Sequence, residues 1–426
     1  MKKKNNKPFI ILASIVILAV AAFICYEVFI VKRGFVKTDA GTYYYDNHGK
    51  ALSGLNELPD GTKRYFDPVT NLMATGETEI DGKTYFFDSD GIMLFGMQKQ
   101  DGSTRFYDPV TGEMTTGWLD YEGGKLYFSE ETGDEVFGLS AIGGKQYYFD
   151  AESGKMKTGD VDIDGVRYCF DENTGAGLDG FYENDGVKHA YIGGMMLTDL
   201  RAYADNHLYY FDSEGVIVRE VDGSKPMVAL TYDDGPSVYT DSILDTFEEY
   251  GQRCTFFIVG DRISWNEDQA IREAALGCEQ GNHTYSHNRL TDLSAEEMQE
   301  KIKGTDDELI RISGKPSTCL RPPEGKWNET LKSVCGCPII LWSIDSRDWE
   351  SKNADSICNR VIGKVQDGDI VLMHDLYKST AEATKRIVPA LIEDGFQLVT
   401  VEELGLIKTG GVGLEDGTVY YSIPNR

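Results

Sequence analysis

Thr231-Tyr232-Asp233-Asp234-Gly235-Pro236 sets two adjacent carboxylates directly after an apolar run, Pro226-Met227-Val228-Ala229-Leu230. Ligands and catalytic groups in α/β folds collect at the carboxyl ends of strands, so a strand ending in two acids can hold an ion or move a proton. The same residues are also ordinary turn formers, and the pair alone does not decide between the two. A second group decides. Gly281-Asn282-His283-Thr284-Tyr285-Ser286-His287 carries two histidines four residues apart. On a helical turn that spacing puts both imidazoles on one face, able to grip one ion. The chain has only 6 His, and the remaining one beyond residue 220 is His374, closing Ile370-Val371-Leu372-Met373. Two more segments end in charge: Arg321-Pro322-Pro323-Glu324-Gly325 and Asp345-Ser346-Arg347-Asp348-Trp349. If their strands run parallel, these ends converge on one rim.

The elements that must position them read as seven candidate strands, 226–233, 254–260, 278–281, 318–321, 338–344, 369–373 and 396–400. Amphipathic stretches at 240–250, 266–276, 294–312, 327–334, 353–365 and 378–394 lie between them, and Ser294-Ala295-Glu296-Glu297 has the form of a capping box. Alternating β and α segments imply a parallel sheet, and the length permits closure into a barrel.

The order of these motifs over residues 224 to 405 resembles the polysaccharide deacetylases of carbohydrate esterase family 4. The resemblance implies a distorted (β/α)7 barrel and a metal triad, usually for zinc, formed by Asp234, His283 and His287. It implies that Asp233 is the general base and that Arg321 holds its carboxylate, possibly in a bidentate pair. His374 is implied as the general acid, oriented and kept protonated by Asp348. The backbone N–H of Glu324 is the implied oxyanion donor, and Trp349 and Leu372 are the implied walls of a pocket for the acetyl methyl. Many members carry an aromatic residue where this chain has Glu324, a departure that bears on sugar specificity.

Upstream the chain repeats. Asp81-Gly82-Lys83-Thr84-Tyr85-Phe86-Phe87-Asp88 recurs as Gly143-Gly144-Lys145-Gln146-Tyr147-Tyr148-Phe149-Asp150 and as Asp164-Gly165-Val166-Arg167-Tyr168-Cys169-Phe170-Asp171. A period of about 20 to 21 residues marks a stacked array, here an all-β solenoid of hairpins that bury their aromatic faces on one another. The array resembles the cell-wall-binding repeats of Gram-positive surface proteins, which implies affinity for wall glycan. Choline cages in that class rely on Trp. This region has a single Trp, Trp118, so choline cages are not expected along it.

The amino terminus combines Lys2, Lys3, Lys4 and Lys7 with an apolar run from Phe9 to Cys25 that resumes at Val28. This predicts a single-pass transmembrane helix with the rest of the chain outside, or a secretory signal cleaved near Ala19-Val20-Ala21. The formal net charge is -28, of which about +5 falls in the first 35 residues, about -19 in 36–220 and about -14 beyond. Such an acidic chain excludes nucleic acid as a partner, since binding it needs Lys and Arg on phosphates. Of the eight cysteines, Cys254 and Cys278 sit in strand-like apolar contexts and read as buried thiols.

The expected organisation is an anchor at 1–35, hairpin repeats at 36–220, a deacetylase domain at 221–405 and a tail at 406–426. The expected function is metal-dependent N-deacetylation of an amino-sugar polysaccharide, peptidoglycan N-acetylglucosamine first. Poly-N-acetylglucosamine, chitin oligomers and O-acetylated xylan are alternative substrates, and a wall-binding protein with an inactive enzyme-like domain is the rival from another class.

Overall fold

A computed structural model describes residues 7–26, 31–184 and 186–424. The chain divides into two compact units, one of residues 1–180 with 191–196, the other of 181–190 with 197–426.

In the first unit each repeat is a two-stranded antiparallel hairpin, such as Gly76–Ile80 with Lys83–Phe87 and Gly117–Tyr121 with Gly124–Phe128. The turns use Asp81 (φ 53°) and Gly82 (φ 78°), both left-handed, as a two-residue hairpin loop requires. Phe66, Phe87, Phe128, Phe149 and Phe170 are buried at equivalent places. Each hairpin is tied to another by a backbone bond, Met93 N–H to Lys63 O, Met114 to Thr84 and Met156 to Lys125, all 2.8 Å. The methionine side chains then lie under the glycine of the following turn. A Cβ on Gly112 would fall 2.5 Å from the sulfur of Met93, and the backbone there is left-handed (φ 79°), both of which favour glycine.

Ahead of the repeats, Lys7–Cys25 form a helix of 19 residues. The single-pass membrane anchor expected from this segment is corrected: among the described residues no helix is long and apolar enough to cross a membrane. The described α-helix reaches Cys25, and from Phe9 to there a rise of ~1.5 Å per residue gives about 25 Å, short of a hydrocarbon core of ~30 Å. The expected continuation at Val28 and the cluster Lys2, Lys3 and Lys4 lie outside the described residues.

The second unit is built on a parallel sheet. Its strands are β1 (Met227–Asp233), β2 (Thr255–Ile258), β3 (Glu279–Asn282), β4 (Ile339–Ile340), β5 (Ile344–Asp345), β6 (Ile370–His374), β7 (Gln397–Leu398) and β8 (Val419–Tyr420). β1 is central and wholly buried, with β2 and β6 on its two sides. The ladder runs β3-β2-β1-β6-β5, with β7 on the start of β1. Val228, Leu230 and Tyr232 face one apolar cluster and Met227 and Ala229 another, the two-residue alternation of a strand buried on both faces.

A closed (β/α)7 barrel is not observed. Beyond Asn282 the sheet continues only through isolated parallel bridges, Asn282 to Leu320 and Leu320 to Ile339, and among the described residues no ladder joins β4 to β5. The physical cause is local. The Arg321 guanidinium takes the carbonyls of Ile340 (3.1 Å) and Leu341 (2.9 Å), the acceptors a continuing strand would use. The tail also acquires structure: β8 pairs β4 in parallel.

A three-stranded antiparallel sheet, Arg201–Ala204, His207–Phe211 and Ile217–Asp222, belongs to this same unit. Leu208 and Val221 join the cluster of Met227, Ala229, Val399 and Leu404. Glu403, itself buried, accepts from Arg219 Nε (2.9 Å) and Arg253 Nη1 (3.2 Å).

Candidate active site

Five segment ends meet around one open cavity lined by Asp233, Asp234, His283, His287, Glu324 and Gly325 on one side and Trp342, Asp345, Trp349, Leu372, His374 and Tyr377 on the other. Its volume is about 370 Å³. Every residue expected at the site is thus placed at or against it. Arg321 and Asp348, fully buried, stand behind the lining.

Asp233 and Asp234 occupy the end of β1 and the turn after it, and their carboxylates face different partners. Arg321 Nη1 donates to Asp233 Oδ1 at 2.7 Å and to Thr231 Oγ1 at 2.7 Å. Nε and Nη2 are spent on Ile340 and Leu341, so the pairing with Asp233 is through one bond and not bidentate. The guanidinium also lies 4.0 Å over the ring of Phe257. Asp234 (φ 71°) turns its carboxylate toward the histidines: Oδ1 lies 3.5 Å from His283 Nε2 and 3.3 Å from His287 Nε2.

The histidines do not sit on a helical turn. They follow β3 in a loop in which Thr284 (φ 65°) and His287 (φ 53°) are left-handed, and this curl brings the two rings to 5.1 Å between centroids. His283 is buried, and its Nδ1 lies 2.6 Å from the carbonyl oxygen of Arg321. A carbonyl can only accept, so Nδ1 carries the hydrogen and Nε2 presents a lone pair. Burial holds the His283 pKa below the ordinary imidazole value against the opposing pull of Asp233 and Asp234, which keeps the ring neutral.

Lone pairs of a neutral imidazole and a carboxylate thus face each other, and Asp234 Oδ1 is a buried atom without a hydrogen-bond partner. Asp234, His283 and His287 place their ligand atoms within 4.8 Å of one another. An orphaned acceptor flanked by two imidazole nitrogens fits a cation, and an Asp/His/His set with a solvent-open side suits a divalent ion.

Across the cavity His374 ends β6. Its Nδ1 bonds Asp348 Oδ1 at 2.8 Å, and its backbone N–H donates to Asp348 Oδ2 at 2.6 Å. Trp349 N–H (2.8 Å) and Thr380 Oγ1 (2.7 Å) complete the acceptor capacity of that carboxylate. Burial pulls the His374 pKa down, but the Asp348 hydrogen bond and charge outweigh it, and it is pushed up to about 9. The imidazolium is therefore the resting form at neutral pH.

Leu372 is nearly buried and Trp349 is 48% exposed in the cavity wall. Glu324 has a left-handed backbone (φ 60°, ψ 12°) and is followed by Gly325 (φ 65°), where a Cβ would lie 2.9 Å from Trp342. Sequence reasoning missed Trp342 and Tyr377, which carry no chemical signal, and it gave no role to Asp375. That carboxyl is buried, accepts from Ser237 Oγ (3.3 Å) and Thr240 Oγ1, and its N–H donates to Asp233 O at 2.9 Å. Burial pushes its pKa up to about 8. With Arg262, which donates to the Asp234 carbonyl, it fixes the turn that bears both acids. The signal available was its place beside His374 at a strand end.

The family model for polysaccharide deacetylase matches residues 220–336, and the model for the choline-binding repeat matches 74–117 and 136–178. The peptidoglycan-N-acetylmuramic acid deacetylase PdaC of Bacillus subtilis is 39% identical over 189 residues, 44% of this chain and 40% of that protein. The peptidoglycan-N-acetylglucosamine deacetylase PgdA of Listeria monocytogenes is 36% identical over 178 residues, 42% of this chain and 38% of that protein. A peptidoglycan-N-acetylglucosamine deacetylase of Bacillus cereus is 33% identical over 199 residues, 45% of this chain and 93% of that protein. The chain thus spans 40% and 38% of the length of the first two relatives.

Proposed function

Because the chain belongs to the polysaccharide deacetylase family, we propose that it hydrolyses N-acetyl groups on the amino sugars of wall peptidoglycan, with N-acetylglucosamine the preferred unit, in a metal-dependent reaction. The observation that carries this reading is the opposition of two pre-set proton-handling groups, Asp233 and His374, across one cavity that also holds a cation-ready Asp234, His283 and His287. Bound there, a divalent ion, zinc by its Asp/His/His donor set, supplies Lewis acidity toward the acyl oxygen and the attacking water.

The chain's own residues supply the rest. Asp233 Oδ1 is occupied by Arg321, which leaves Oδ2 to take a proton as water adds to the acetyl carbon. The Glu324 N–H is assigned to the oxyanion that forms. His374, with Nδ1 engaged by Asp348, gives the proton on its other nitrogen to the sugar nitrogen as the C–N bond breaks. Acetic acid and a free amine leave, with Asp233 protonated and His374 neutral, and loss of a proton from Asp233 to solvent and gain of one by His374 restore both. Trp349 and Leu372 are assigned to the acetyl methyl. The repeats are assigned to adhesion on wall glycan, which a pull-down of residues 36–196 with purified walls tests.

The deciding experiment is acetate release by the metal-loaded chain from peptidoglycan, chitin oligomers and acetylated xylan. Release from peptidoglycan supports the reading, and release from xylan alone overturns it.

A further inference from the structure

The cavity is acidic to its mouth. Asp233, Asp234, Glu324 and Asp345 line it, and among the described lining residues there is no Lys or Arg. The inner two acids have assignments: Arg321 neutralises Asp233, and Asp234 faces the histidines. The outer two do not enter the chemistry. Asp345 is tied to its own loop, accepting from the Arg347 N–H at 2.8 Å. Glu324 is different. Its side chain is 47% exposed and reaches Arg289, a residue outside the lining, whose guanidinium also lies 3.9 Å from Asp292. The left-handed backbone at Glu324 sets the direction in which this side chain leaves the turn, and the ion pair with Arg289 holds its carboxylate there.

The two amino sugars of the glycan strand differ in one group at this scale: N-acetylmuramic acid bears a lactyl ether, which ends in a free carboxylate wherever no stem peptide is attached, and N-acetylglucosamine bears a hydroxyl. We propose that Glu324 is a specificity-determining residue that disfavours the lactyl carboxylate and turns the site toward N-acetylglucosamine. The inference rests on the deacetylase reading above and adds the choice of sugar. Glu324 acts twice. Its own charge repels an incoming carboxylate, and by occupying Arg289 it withholds the nearby guanidinium, whose planar fork suits carboxylate recognition. Neutralising Glu324 removes the repulsion and frees Arg289 for the substrate, whereas neutralising Arg289 leaves Glu324 an uncompensated anion.

The test uses the full metal-loaded chain and a peptide-free tetrasaccharide of alternating N-acetylglucosamine and N-acetylmuramic acid, in which each lactyl carboxylate is free. Fragment mass spectrometry assigns each new amine to a sugar. The wild-type chain is expected to form amines chiefly on glucosamine units. Glu324→Gln is expected to raise the muramic-to-glucosamine ratio by about tenfold, the scale of one charge interaction at a partly exposed site. Arg289→Gln is expected to lower it. A ratio unmoved in both variants, or a wild-type preference for muramic units, overturns the inference. Turnover of an N-acetylglucosamine tetramer alongside an unmoved ratio overturns this inference alone, whereas failure of the wild-type chain on both glycans overturns the deacetylase reading and this inference with it.

Discussion

Arg321 and Asp233 meet through a single 2.7 Å bond between Nη1 and Oδ1, with both side chains shut away from solvent. The cation is thereby committed to one oxygen of the base and the other is left for chemistry. Asp233→Asn keeps the shape and the Arg321 bond but cannot take a proton, so turnover is expected to fall by roughly 10²–10⁴. Metal content, measured on the same sample by elemental analysis, should not change. A variant that loses both together would reassign Asp233 to the ion.

The same pair has a cost when broken. Arg321→Met leaves Asp233 buried without a counter-charge, a loss of about 3–5 kcal/mol. Thermal unfolding should register it, and Arg321→Lys should recover little because one ammonium cannot serve Ile340, Leu341, Thr231 and Asp233 at once.

His283 is aimed by the Arg321 carbonyl, so its Nε2 is a ligand before any ion arrives. A divalent ion at 100 times its Kd is expected to add about 2.7 kcal/mol to stability, read as a rise in melting temperature that chelation reverses. In His283→Ala that rise should vanish, with activity lost in parallel. A rise of full size in the variant would refute the assignment.

The pH profile follows from His374. With its pKa pushed up to about 9, the imidazolium needed as acid persists through neutrality, and the alkaline limb of kcat/KM is expected near pH 9. The stability this group contributes is complete below about pH 6.5 and is lost as pH rises through about 9. In Asp348→Asn desolvation is opposed only by the charges of Asp233 and Asp234, and the limb should move to lower pH. A limb that stays in place would assign it to another group.

Glu403 binds Arg219 from the strand Ile217–Asp222 and Arg253 from the edge of β2. A chain starting at residue 221 lacks Arg219 and the Leu208 contacts, and is expected to be less stable by several kcal/mol than one starting at 197. Urea unfolding of the two fragments compares them directly.

Much of the site could be read from residue types alone. Asp233, Asp234 and His374 stand out because an apolar strand forces the next ionisable group to its end, and Ser294 does cap the helix Ala295–Ser313 with Glu297 as expected. What could not be read was long-range. The histidine spacing suggested a helix because the left-handed turns at Thr284 and His287 leave no mark in composition. The run 338–344 broke in two because carbonyls within it serve Arg321, a residue some twenty positions away in sequence. The pairing of Val419–Tyr420 with Ile339–Ile340 went unseen since a strand of two residues has no period. The expectation for the amino terminus weighed hydropathy across residues 9–31 as one span, whereas the described helix stops at Cys25.

The repeats have a consequence for how this chain can change over generations. Most joints between hairpins use the same parts, a methionine N–H on a distant carbonyl and a sulfur beneath the next glycine, as at Met93 with Lys63 and Gly112, while Glu135 and Gly177 make the same backbone bond without a sulfur. Joints of this kind are interchangeable. Excision or duplication of one whole period, such as residues 81–100, restores an equivalent joint at the seam. A cut of half that length sets a bulky side chain at a left-handed position that favours glycine. Recombination between repeats can therefore lengthen or shorten the array in whole steps, leaving the distant carboxylates and imidazoles untouched.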